Sequence, residues 1–154
     1  MSFELTLFAG CRRLAVLLLL LGFAGAAAQA RELKCQALLV WAANVDKSPN
    51  PKHKPVEVEV RRKLDELPLK WKNYFEVNRK DFSVSEGESS EVTLSDKCSI
   101  AVKDIDGENV EVSLIGKGKP VLRRIQPLPR KQMLVLGGNA PDSTGWLVVL
   151  KRIE

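Results

Sequence analysis

The sequence predicts an α+β fold, a mainly antiparallel β sheet or sandwich with one covering helix. Three observations carry this expectation. From Tyr74 onward, short apolar or alternating runs are separated by glycine and proline turns, the pattern of successive strands. One segment, Val56 to Leu67, switches to a helical period. Two runs, Ala37–Ala43 and Trp146–Leu150, are apolar without alternation, as strands covered on both faces are. A lone amphipathic helix must bury its stripe against another element, and a sheet face is the partner on offer.

Residues 1–30 read as a signal peptide. Arg12 and Arg13 precede the apolar run Leu14 to Leu21, small residues follow, and the segment ends in Ala28-Gln29-Ala30. A basic start, a short apolar run and an A-x-A ending predict export with cleavage after Ala30. The uncharged stretch Leu14–Ala28 is shorter than the roughly 20 residues that cross a bilayer comfortably, so no integral membrane span is expected after cleavage. Cys11 precedes the apolar run rather than following it, which argues against lipidation and leaves it to depart with the signal. Residues 31–154 then form a single exported β-rich domain, periplasmic or extracellular.

Leu33 to Ala43 is the first strand, and Asn44 to Pro55, with Pro49, Pro51 and Pro55, is a loop. In the next segment Val56, Val60, Leu64 and Leu67 share one helical stripe among charged residues. Glu57 and Glu59 suit the first turn, and Pro68 forbids continuation. Strands are expected over Tyr74–Val84, with a bend near Arg79–Asp81, then around Val92 and Leu94, Ile100 and Val102, and Val110 to Leu114. Asp106-Gly107 supplies a tight hairpin between the last two. Gly116-Lys117-Gly118-Lys119 lacks the spacing and the following helix of a phosphate loop, and reads as a β-turn. Val121 to Ile125 and Met133 to Leu136 follow, then a long loop from Gly137 to Gly145. Trp146–Leu150 is a last strand placed at the heart of the domain beside the first, with Trp146 buried; the alternative sets Trp146 on a recognition surface with the Gly137–Gly145 loop.

The signal, the first strand, the charged helix, Tyr74-Phe-Glu-Val77, the strand end Leu134-Val-Leu-Gly-Gly138 and the terminal apolar strand together resemble small exported bacterial cell-envelope domains of uncharacterised function. The resemblance implies a fold used in envelope proteins and carries no catalytic residue with it.

In an oxidising compartment Cys35 and Cys98 are expected to pair, closing a loop worth up to about 4 kcal/mol in chain entropy. No metal site and no cofactor are expected, since His53 is the only histidine and the mature cysteines are assigned to a bond. No catalytic set is legible either: Ser143, His53 and Asp142 could be assembled into a triad only on paper, with no nucleophile elbow at Ser143. Two segments are candidate contact surfaces. Lys70, Trp71 and Lys72 interleave an aromatic with cations, and Gly138, Asn139 and Asp142 lie in the long loop. The expected function is an exported non-catalytic structural or protein-binding module of the bacterial cell envelope, with an envelope protein as partner. The alternatives are an enzyme of unrecognised type or a binder of anionic polymers (glycan, lipid or nucleic acid). The polymer reading needs Lys70, Lys72, Lys117, Lys119, Arg123, Arg124, Arg130 and Lys131 to share one face. The net charge of +5, about +4 once Arg12, Arg13 and Glu4 are removed, permits an acidic partner without requiring one.

Overall fold

Two antiparallel sheets and one short helix make up the domain in a computed structural model that describes residues 31–154. Residues 1–30, read from sequence as a signal peptide, and Cys11 within them lie outside the described residues. In chain order the elements are β1 (Glu32–Ala43), β2 (Lys54–Pro55), α1 (Val58–Asp65), β3 (Asn73–Ser85), β4 (Ser89–Ser95), β5 (Cys98–Asp104), β6 (Asn109–Gly116), β7 (Lys119–Pro127), β8 (Met133–Asn139) and β9 (Gly145–Arg152). One sheet has the order β2-β3-β1-β9-β8 and the other β4-β5-β6-β7. The expected α+β class, with a helix on a mainly antiparallel sandwich, is what the chain forms.

β1 is apolar on both faces because it is covered twice. Leu33, Cys35, Ala37 and Leu39 point into the core between the sheets, with Ile100, Val102, Val112, Val148 and Leu150. Leu38, Val40 and Ala42 point the other way, towards Val60 and Leu64 of α1. β1 and β9 are hydrogen-bonded neighbours from Cys35↔Arg152 to Ala42↔Gly145, so the first and last strands do meet at the centre.

The helix is shorter than its stripe suggests. Lys54 and Pro55 pair with Glu76 and Phe75, and the Val56 N–H donates to the Tyr74 carbonyl at 3.2 Å. That pairing holds Val56 extended, and the helix starts at Val58. Eight residues do not sustain a helix in water; burial of Val60 and Leu64 on the sheet does. Glu59 in the first turn and Arg62 and Lys63 in the last suit the helix dipole, and Arg61 pairs with Asp65 at 2.9 Å. The bend in β3 falls at Val77, which is bulged out between the pairs Leu39↔Asn78 and Val40↔Glu76, rather than at Arg79–Asp81.

The segment Gly137–Gly145 is a hairpin and not a long loop. Gly137, Gly138 and Asn139 complete β8, opposite Leu147, Trp146 and Gly145, leaving only Ala140–Thr144 as the turn. Gly137 has φ +140°, and a Cβ there would lie 2.2 Å from the Trp146 carbonyl oxygen, so only glycine lets β8 run this close to β9.

The two ends of the sandwich differ. At one end Arg152 donates to the carbonyls of Gly107 at 2.8 Å and Leu128 at 3.1 Å, tying the β5–β6 turn and the β7–β8 link to the first sheet. Beside it the buried Asp104 carboxylate accepts the Gly107 N–H at 2.7 Å. At the other end β1 and β3, with 12 and 13 residues, are longer than any strand of the second sheet. The interior face of the first sheet there is left partly uncovered.

The expected Cys35–Cys98 bond is not formed: both thiols are free. Cys35 lies near the end held by Arg152, opposite it in register. Cys98 begins β5 at the far end, about 20 Å along the strand from Asp104 at roughly 3.3 Å per residue. Both thiols touch the same core from opposite ends, beyond the reach of a disulfide.

Candidate functional site

The uncovered end is an apolar groove of about 740 Å³. Its floor is Leu39 of β1, Val77 of β3, Leu114 of β6 and Val148 of β9, and Trp146 and Val121 form its sides. Trp146 follows the alternation of β9 and stands on the same face as Val148 and Leu150, the interior face. The second sheet does not reach it, so its side is open and Trp146 is 43% exposed. This corrects the expectation of a buried Trp146. The apolar run identifies the strand correctly, but burial at its first position depends on where the opposing sheet stops.

Val121 is 61% exposed on β7. It is extruded at a bulge, between the pairs Ile115↔Pro120 and Leu114↔Leu122, which turns it towards the groove. Trp41 stands opposite Trp146 in register and is half-buried, with its ring 5.7 Å from Phe75 and 6.1 Å from His53. Among the described residues, Trp146 is the most exposed aromatic.

Two turns of the second sheet form the polar rim. The Lys117 N–H donates to the Lys97 carbonyl at 2.9 Å, which locks the β6–β7 turn onto the β4–β5 turn and sets two lysines side by side. Lys117 has φ 49° and Gly118 φ 75°, the pair of left-handed conformations of a tight hairpin. Asparagine or aspartate usually takes the first of these positions; lysine there costs about 1 kcal/mol. Neither Lys97 nor Lys117 forms an ion pair among the described residues, and Asp96 is the one carboxylate in the groove lining.

Folding brings the two sequence-predicted contact segments together at Trp71, but it does not make them one exposed surface. Trp71 is buried beneath the β8–β9 hairpin, where its indole N–H donates to the Ser143 carbonyl at 2.9 Å. It is a core residue, which removes it from the contact surface. Gly145 carries no side chain because a Cβ would stand 2.4 Å from the Trp71 ring. Lys70 and Lys72 point outward, with the Lys70 ammonium 5.5 Å from the centre of the Trp71 ring. Asn139 lines the groove and Gly138 is exposed opposite Trp146. Asp142 shapes the turn: its carboxylate accepts the Thr144 hydroxyl and N–H, and these bonds hold it below the usual carboxylate range.

The paper triad does not assemble, since His53 shares a 2.7 Å hydrogen bond with Ser48 and Asp142 is engaged with Thr144. Of the basic residues named for a polymer-binding face, Lys117 lines the groove, and Arg130 lines a cleft of about 650 Å³ at the opposite end, together with Arg31, Arg152, Glu108 and Glu154. That cleft mixes both signs of charge. Cys98 is the one thiol in the groove, and burial pushes its pKa up, so it stays protonated at neutral pH.

Leu39, Val77, Lys97, Leu114 and Val121 were not singled out by sequence. A signal existed for two features, namely lysine where a tight turn prefers asparagine, and apolar residues beside arginines on β7. The floor residues are ordinary core types and carry none.

Fold and site together define a two-sheet β-sandwich with a helix on one outer face and an apolar groove at its open end. Compared with known proteins, the chain matches no family model, no curated protein and no solved structure.

Proposed function

We propose that the chain is an exported, non-catalytic binding module of the bacterial cell envelope, and that its contact site is the groove beside Trp146. The observation that carries the reading is a large aromatic, 43% exposed, over an apolar groove of about 740 Å³. Small-ligand sites span about 300–1,000 Å³ and combine apolar walls with a few polar groups at the edge. Exposed apolar surface of this kind costs solubility unless something covers it in use.

Contact rather than turnover is supported by what lines the groove. It offers one carboxylate, two lysines, a serine and a protonated thiol with no histidine, and no side-chain hydrogen bond or ion pair joins any two of them into a nucleophile–base pair. The protein partner expected from sequence narrows to a ligand or partner that presents an apolar group.

The test is binding of Nile red, an uncharged apolar dye, to the protein recovered after secretion. The expected result is a saturable rise in fluorescence well below the unfolding temperature, abolished by Val121→Glu and weakened by Trp146→Ala. A dye signal indifferent to both substitutions, or absent, would overturn this reading.

A further inference from the structure

We infer that the groove holds a free single-chain anionic amphiphile, a long-chain fatty acid in chemistry, with its acyl chain over Leu114 and Val148 and its carboxylate at the rim beside Lys97 and Lys117. This rests on the groove being the contact site and names what occupies it.

The floor argues for a hydrocarbon chain and against a peptide. Leu39 lies between β3 and β9, Leu114 between β5 and β7, and Val148 between β1 and β8, each in register with both neighbours. Their backbone groups are committed to the ladders. A peptide crossing Leu39, Leu114 and Val148 would bring an N–H and a C=O at every residue and find no partner on these three strands; Val77, at its bulge, is the one floor residue outside the ladder register. An acyl chain brings none and gains the full benefit of leaving water.

The rim argues for a negative head group. The Lys117 N–H···O=C Lys97 bond at 2.9 Å keeps two cationic residues adjacent on one wall of the mouth. Like charges so placed repel, and Asp96, the one acid in the lining, pairs with neither within 4.0 Å. Lys119, exposed across the same turn, adds a third positive charge. An anion at the mouth relieves the repulsion, while each lysine stem stays flexible enough to reach it. Apolar depth with a cationic rim is complementary to a molecule that is apolar along its length and anionic at one end. A free amphiphile fits better than a bilayer surface, because the lining residues surround a recess and, of its large apolar side chains, Trp146 and Val121 alone are exposed.

Displacement of Nile red by laurate and by lauryl alcohol, equal in chain and different in charge, tests the assignment. Laurate should displace the dye at about tenfold lower concentration than the alcohol, the weight of two exposed charge contacts. Lys97→Gln with Lys117→Gln should bring laurate to the level of the alcohol and leave the alcohol within about twofold. The double variant should melt as the parent does, since neither side chain forms an ion pair among the described residues. Equal displacement by the two ligands, or a laurate preference that survives the double substitution, would overturn the head-group assignment while the groove reading stands. Co-sedimentation with phosphatidylglycerol vesicles, together with no response to monomeric laurate, would assign the site to a membrane surface instead. Failure of Nile red itself to bind would remove the groove reading and this inference together.

Discussion

Gly145→Ala puts the packing of the β8–β9 hairpin under direct test. The new methyl group would stand 2.4, 2.5 and 2.9 Å from Cζ2, Cη2 and Cε2 of Trp71, where ordinary contact needs about 3.4 Å or more. The ring must retreat by about 1 Å, and it is only 7% exposed, walled in by Tyr74, Leu147 and Val149. Overpacking of this kind costs about 1–3 kcal/mol. The displaced indole also loses its 2.9 Å bond to the Ser143 carbonyl, for a further ~1 kcal/mol. The sum of about 2–4 kcal/mol should lower the melting temperature by roughly 10–15 °C in a domain of this size. Thermal unfolding followed by circular dichroism reads it. Trp71→Leu combined with Gly145→Ala should destabilise less than the two single changes added together, because the clash needs both partners. A Gly145→Ala variant melting within 2 °C of the parent, or strict additivity in the double variant, would refute the packing described here.

Other expectations follow from the same structure. Trp146→Ala should cost about 2 kcal/mol, roughly half the figure for a fully buried tryptophan, because Trp146 is 43% exposed; chemical denaturation measures it, and a loss above 4 kcal/mol would put the residue back in the core. Alkylation of the unfolded protein without reductant should label both Cys35 and Cys98, and reductant should leave the melting temperature unchanged; a peptide joining the two would restore the bond. Burial pushes the Cys35 thiol up to about 12 from an ordinary value near 9, so above pH 9 the unfolded chain releases a proton that the folded chain retains. Stability should therefore fall with rising pH between 9 and 12, by up to ~1.4 kcal/mol per unit, and the difference between parent and Cys35→Ala isolates that slope; parallel curves would contradict it. Expressed from Met1 in a bacterium, the chain should be exported and begin at Arg31 by intact mass, and a species retaining Leu14–Ala30 would argue for an anchor.

Period and turn chemistry made most of the fold legible. The double-sided apolar run of β1 required cover on both faces and has it, from the second sheet and from α1. Asp106-Gly107 and the Lys117-Gly118 turn marked hairpins because few residues tolerate those backbone angles. Relations between distant elements were not legible. The spacing of Cys35 and Cys98 says nothing about which ends of β1 and β5 face each other, and the antiparallel packing sets them at opposite ends. Burial of Trp146 depended on the length of strands fifty residues away. The hairpin at Gly137 was read as a loop because glycines punctuate turns; here one glycine serves close strand approach and the other makes room for Trp71. The groove draws its lining from every long strand of both sheets and the adjoining turns, and no one segment advertises it.

The most direct test of the account is an amide and indole chemical-shift map of the protein titrated with laurate. The account predicts saturable shifts at the Trp146 indole N–H and at the amides of Leu39, Lys97, Leu114 and Lys117, with Arg31, Asp104 and Arg152 at the opposite end unmoved. Shifts centred on Arg31 and Arg152, or none at the Trp146 indole, would contradict it.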